Sequence, residues 1–179
     1  MRRALVVAAL VSAPTAAAAE DLPTGRLSFL TGARNGTGGL AEELGLGWMV
    51  GIEAGYKPMA PTQRVGWGAT WSTQFSWYGD GSARVADQLA MVEMDLGLRA
   101  RAVMGARRRL VVHVGGGGAL IRLNEPVVRD GARDQVGPWG SAGVEFRAAS
   151  FIWGVSLRYA TIVDGSGTIG LHLAVGTGS

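Results

Sequence analysis

The sequence offers two bases for acid–base chemistry near neutral pH, His113 and His172, and no cysteine. A serine hydrolase needs nucleophile, base and orienting group within hydrogen-bond reach of one another. His113 stands in VHVGGGG with no serine beside it, whereas His172, in GLHLAV, comes near Ser156 and Arg158 if the last two apolar runs form a hairpin. The run Gly115 to Gly118 lacks the Lys-Ser/Thr that follows a phosphate loop and lies inside an alternating pattern, so it reads as a bulge or close-approach point in a strand. Eight ionic residues stand inside the alternating runs with a clear polar-face position: Glu53, Glu93, Asp95, Glu145, Arg99, Arg101, Arg147 and Arg158. Each falls on the polar face of an alternating stretch, which suggests pairing with one another rather than turnover of a substrate. No residue is assigned to catalysis, to a cofactor or to a metal.

Those charges are placed by elements of period two. In RVGWGATWSTQFSWY, Val65, Trp67, Ala69, Trp71, Thr73, Phe75 and Trp77 alternate with small or polar residues over fifteen positions. Alternation of this kind means an extended strand, and its length exceeds the usual five or six residues. A tilted strand crossing a bilayer needs roughly nine to eleven. The pattern recurs in RLSFLTGAR, LGWMVGIEAGY, AMVEMDLGLRARA, LVVHVGGGGALI, WGSAGVEFR, FIWGVSLRY and TIGLHLAVG, making eight runs in all. The connectors mostly alternate long and short. Residues 35–44, 79–87 and 124–135 are long, while those near 58–63, 105–108 and 148–149 are short; 164–167 is the exception in the long series. An even number of strands joined this way predicts an up-and-down meander that closes.

The N-terminus adds an address. Met1-Arg2-Arg3, a short apolar core and Ala17-Ala18-Ala19 form a signal-peptide pattern, dividing the chain into residues 1–19 and a single domain, 20–179. The apolar core is too short for a spanning helix. The formal net charge of +3 loses Arg2 and Arg3 with the leader, leaving fifteen basic residues against fourteen acids. With one lysine and no basic stripe, nucleic acid is excluded as a partner.

Alternation does not say which face is inside, but residue size does. Eight strands enclose a space just wide enough to be filled by side chains. The polar face supplies Gly47, Gly51, Gly55, Gly66, Gly68, Gly97, Gly115, Gly117, Gly143, Gly154 and Gly170 with a handful of charges. The other face carries Trp48, Tyr56, Trp67, Trp71, Phe75, Trp77, Phe146, Trp153 and Tyr159, more rings than such a lumen holds. The expected arrangement is a luminal network of Glu53, Glu93, Asp95, Arg99, Arg101, Glu145, Arg147, Arg158, His113 and His172, with those nine aromatics facing lipid. The network reads either as a gate on a narrow conduit or as a pre-paired core. Turn centres place Glu53 beside Gly68, Arg99 beside Gly66, and Trp139 beside Arg158.

In these runs, their number and the leader, the chain resembles the small eight-stranded outer-membrane barrels of the OmpA/OmpX type. The resemblance implies an all-β fold, a single eight-stranded antiparallel up-and-down transmembrane barrel behind a signal peptide, located in the outer membrane. It implies membrane lipid and the outer-membrane assembly machinery as partners, with connectors 35–44, 79–87 and 124–135 available to a surface partner. Such barrels usually finish on an aromatic residue, whereas this chain finishes LHLAVGTGS. The implied role is structural, adhesive or narrow-pore. Two other readings are a periplasmic lipocalin-like barrel binding an apolar ligand and a lipid A-modifying barrel enzyme, although the His and Ser two apart that mark the lipid A deacylases are missing.

Overall fold

The computed structural model describes residues 25–57, 63–79, 89–105, 109–124, 134–148, 150–161 and 166–178. The expected leader, most of connectors 79–87 and 124–135, and most of the short turns lie outside these residues. Eight strands form a closed barrel in which every strand pairs antiparallel with its neighbours in sequence and β1 pairs with β8. They are β1 (Gly25–Thr37), β2 (Leu46–Tyr56), β3 (Val65–Tyr78), β4 (Leu89–Met104), β5 (Leu110–Leu123), β6 (Asp134–Ala148), β7 (Phe151–Thr161) and β8 (Gly167–Gly178). Closure leaves no strand edge unpaired.

The period-two pattern is realised as burial. Along β3, the even positions Thr70, Ser72, Gln74, Ser76 and Tyr78 are buried in the lumen, while Trp67, Trp71 and Phe75 face outward. Small residues and a few long polar ones fill the inside, and large apolar ones clothe the outside.

Two expectations about connection and register are corrected. Connector 35–44 is not all loop: β1 runs to Thr37, and Asn35 pairs with both Leu46 and Ile169. The remainder folds into a 3-10 turn, Gly38–Leu40, and a one-turn helix α1, Ala41–Leu44, which ends at Gly45 with φ of 53°. This left-handed conformation suits glycine. Leu40 and Leu44 are buried and pack with Tyr78, Met91, Ile121 and Leu123 as an apolar cap over the long-loop end. The second correction is to the pairings. Glu53 lies opposite Ser72 rather than Gly68, Arg99 opposite Gly68 rather than Gly66, and Trp139 opposite Ala160 while Ser141 faces Arg158. Every slip is an even number of residues. An odd slip would turn apolar side chains into the lumen, whereas an even one preserves the faces and is decided only by turn geometry.

Candidate functional site

The lumen gathers the ionic side chains into two clusters. The cluster nearer the long-loop end centres on Glu93, which has no exposure at all. Arg34 donates from Nη1 to Glu93 Oε2 and from Nη2 to Gln74 Oε1, each at 2.5 Å. Arg158 donates from Nη2 to Glu93 Oε1 and to Asp95 Oδ1, the latter at 2.5 Å. Asp95 Oδ2 also accepts from Ser72 Oγ at 2.7 Å and from Gln74 Nε2 at 2.8 Å. Two guanidinium groups thus meet two carboxylates, and polar neighbours occupy the remaining lone pairs, as a buried ion pair requires.

Trp139 holds this cluster from the side. Its ring centroid lies 5.2 Å from Arg158 Cζ, a cation–π contact, and its Nε1 donates to Gly118 O at 3.1 Å. The ring lies over Gly97, where an added Cβ would fall 2.7 Å from Trp139 Cζ2 and closer still to Gly116 O. A glycine is needed there because an indole occupies the space of its side chain.

The cluster nearer the short-turn end is built on Glu53 and Glu145. Arg99 grips Glu53 bidentately, with Nη1 to Oε1 at 2.6 Å and Nη2 to Oε2 at 2.5 Å. Arg26 donates to Glu145 Oε1 and lies 3.6 Å from Glu53 Oε1. Around Glu145 stand Arg147 and His113, each at 3.6 Å, and Arg99 at 3.9 Å. Arg101 donates to the carbonyl of Lys57. His172 is buried opposite Ser156, two pairs from the Arg158–Gly170 position and on the same face. Ser156 and His172 both line the lumen, on the opposite face of the sheet from the outer surface.

All ten residues assigned to the lumen from sequence are therefore buried on its inner face. Four partners go unremarked in the sequence reading. Arg26 is given a face but no partner, because the first run is the weakest. Ser72 and Gln74 fall on the polar face of RVGWGATWSTQFSWY, and Arg34 closes RLSFLTGAR, with no partner assigned to any of the three. Between the clusters the lumen retains a cavity of about 20 Å³ touching Glu53, Asp95, Arg99, His113 and Arg158. That is room for about one water molecule. Val103 and Val111 pack together at the short-turn end, so apolar side chains lie above and below the ionic layers.

The outer face is the converse. Trp48, Tyr56, Trp67, Trp71, Phe75, Phe146, Trp153 and Tyr159 are exposed there, and Trp77 is half-buried. Trp48 pairs with Trp77 across β2 and β3 near the long-loop end, while Phe146 stacks on Trp153 at 4.5 Å near the short-turn end. Among the described residues, the outward positions of the eight strands carry only two charges, Arg122 and Asp134, facing each other at the long-loop rim.

Neither a family model nor a curated protein sequence matches the chain. Solved structures do. The attachment invasion locus protein Ail of Yersinia pestis aligns with a TM-score of 0.55 at 13% identity, over 88% of this chain and 99% of that one. The N-terminal β-barrel domain of Pseudomonas aeruginosa OprF gives 0.51 at 17% identity, over 87% and 97%. The outer membrane enzyme PagL gives 0.56 at 12% identity, over 86% and 99%. At these identities the likeness is one of fold, and that fold is the eight-stranded barrel of small outer-membrane proteins.

Proposed function

We propose that this chain is an integral outer-membrane barrel with a closed, ion-paired lumen, acting as a rigid non-catalytic anchor for the connectors at its long-loop end. The observation that carries this reading is the charge-free outer belt. On β3, Trp67 and Trp77 stand ten positions apart. At about 3.3 Å per residue and a strand tilt near 40°, that separation is roughly 25 Å along the barrel axis. The apolar band of an outer-membrane barrel, flanked by aromatic girdles, has the same height. In water, so large a continuous apolar surface would drive aggregation.

Of the structural, adhesive and narrow-pore roles, the packed lumen favours the first two, since Arg34, Glu93, Asp95 and Arg158 meet across it with Arg99, Glu53, Arg26 and Glu145 beneath them. The adhesive role draws support from the fold shared with the attachment invasion locus protein, whose name describes attachment. The interior also argues against a soluble barrel for an apolar ligand, because Arg34, Glu93, Asp95 and Arg158 occupy the space such a ligand would need. The fold shared with PagL keeps an enzyme within the fold's range. Here, however, Ser156 and His172 lie on the luminal side, away from any lipid substrate at the outer face. The partners in this reading are membrane lipid and the outer-membrane assembly machinery.

Fractionation of cells expressing the full chain tests the proposal. The protein is expected in the outer-membrane fraction, extractable only with detergent, with heat-modifiable gel migration. Recovery in the soluble periplasmic fraction refutes it.

A further inference from the structure

The two ends of the barrel differ in charge. By sequence, the long connectors 35–44, 79–87, 124–135 and 164–167 hold eight acids and three bases, whereas the short ones, 58–64, 105–109 and 148–150, hold four arginines and no acid. Among the described residues the lumen repeats the contrast. At the long-loop end Arg34 and Arg158 meet Glu93 and Asp95, one carboxylate for each guanidinium. At the short-turn end Arg26, Arg99, Arg101 and Arg147 are buried with Glu53 and Glu145, and Lys57, whose carbonyl Arg101 holds, is buried as well. A guanidinium does not deprotonate in a protein, so at least two positive charges are in excess there. Arg147 is 6% exposed, and its Nε and Nη1 have no hydrogen-bond partner among the described residues.

Two further arginines, Arg64 and Arg109, stand exposed at the mouth of this layer. Arg64 donates from Nη1 to the carbonyl of Gly105 at 3.0 Å, so its head lies on the turn that follows β4. Arg109 closes that same turn, and its carbonyl accepts from Arg147 N at 2.9 Å. The strands fix their depth. On β3 the outward residues run Trp71, Trp67, Val65 toward the short-turn end, and Arg64 comes after them. On β5 they run Val114, Val112, Leu110, and Arg109 comes after those. Both arginines therefore lie on the water side of the apolar belt, next to the girdle marked by Trp67 and by the stacked Phe146 and Trp153.

We infer that this rim holds an anionic phospholipid, its phosphate against Arg64 and Arg109 and its acyl chains running into the belt over Val65, Trp67 and Val114. The inference rests on the membrane reading above. In outer-membrane barrels the short turns face the periplasm, so the lipid belongs to the inner leaflet. Basic residues at headgroup depth attract anionic lipid, and the excess charge of the buried layer adds to the field at the same mouth. A zwitterionic headgroup gains less, because its own cation offsets its phosphate. The acids that precede β1, Glu20 and Asp21, are fewer than the four arginines of the short connectors, so the balance at this end stays positive.

Tryptophan quenching in symmetric vesicles tests it. Barrels retaining one tryptophan, Trp67 at the short-turn girdle or Trp48 at the long-loop girdle, are refolded into phosphatidylcholine vesicles containing phosphatidylglycerol, with bromine on the acyl chains of one lipid or the other. At equal mole fraction, brominated phosphatidylglycerol should quench Trp67 the more strongly, with a relative affinity of about fivefold for each arginine engaged, and should show no such preference at Trp48. Arg64→Gln with Arg109→Gln, checked for heat-modifiable migration, should bring the ratio at Trp67 near one, while Arg64→Lys with Arg109→Lys should keep most of it. Equal quenching of Trp67 by the two lipids, the same preference at Trp48, or a preference that survives the double Gln variant overturns the inference. Loss of the preference on adding millimolar inorganic phosphate assigns the arginines to a soluble anion and overturns it too. If neither brominated lipid quenches Trp67, the membrane reading beneath it fails instead.

Discussion

Replacing Glu93 by Met removes one of the two carboxylates that neutralise Arg34 and Arg158. Asp95 remains for Arg158, at 2.5 Å, but Arg34 loses the carboxylate it touches and keeps the amide oxygen of Gln74. Arg34 is 1% exposed, so its charge stays out of water. Breaking a buried pair in this way costs about 3–5 kcal/mol. The converse is sharper. Replacing both Arg34 and Glu93 by Met removes the pair as a unit and leaves Arg158 with Asp95, two opposite charges still in contact. A buried pair exchanged for apolar side chains of similar size is typically neutral or stabilising. The double variant should therefore recover most of what Glu93→Met loses, a coupling of at least about 2 kcal/mol within the 0.5–3 kcal/mol seen for contacting residues. Urea titration of the refolded barrel in lipid vesicles, followed by tryptophan fluorescence and heat-modifiable migration, reads these differences. Additive losses in the double variant, or a loss below 1 kcal/mol in Glu93→Met, would refute a paired and dry lumen.

Three further outcomes follow from the same geometry. Gly97→Ala puts a methyl against Gly116 O and the Trp139 ring and should cost about 1–3 kcal/mol of stability by urea titration, whereas Gly118→Ala, with nothing within 4 Å of its added Cβ, should cost far less. Leu98→Arg, mid-belt on the outer face of β4, should destabilise the vesicle-inserted barrel by about 2–4 kcal/mol, and Leu46→Arg at the rim by about 0–1 kcal/mol; equal small effects would place water outside. In planar bilayers the barrel should pass no steady current, and Leu40→Ser with Leu44→Ser should not change this, because the ionic layers lie beneath that cap; a stable wild-type conductance would contradict a sealed lumen.

The faces were legible in the sequence because parity is a local property. Glu93, Asp95, Arg99 and Arg101 alternate with Met94, Leu96, Leu98 and Ala100, and nothing beyond β4 is needed to know that the two sets point opposite ways. The exclusion of indoles from so narrow a tube follows from size, and only Trp139, among glycines, is admitted. Which charges meet was less legible. That depends on register and on the stagger of strands around the barrel, both set by turns whose lengths the sequence only brackets. Arg99 reaches Glu53 although both registers used to bring them together shift, because long side chains span a lumen this slim. Arg34 went unpaired for the complementary reason: it closes the first and weakest run, at the border of connector 35–44, and only the pairing of Asn35 with Ile169 shows that the strand continues past it.

The central claim is that the outward indoles face hydrocarbon while the luminal one does not. It is tested most directly by single-tryptophan barrels, retaining either Trp71 or Trp139, refolded into vesicles of phosphatidylcholine brominated along its acyl chains. The account predicts strong quenching of Trp71, outward in the belt, and little quenching of Trp139, which is 6% exposed and stacked against Arg158. Equal quenching of the two, or a Trp71 quenched by aqueous iodide and not by brominated lipid, would contradict it.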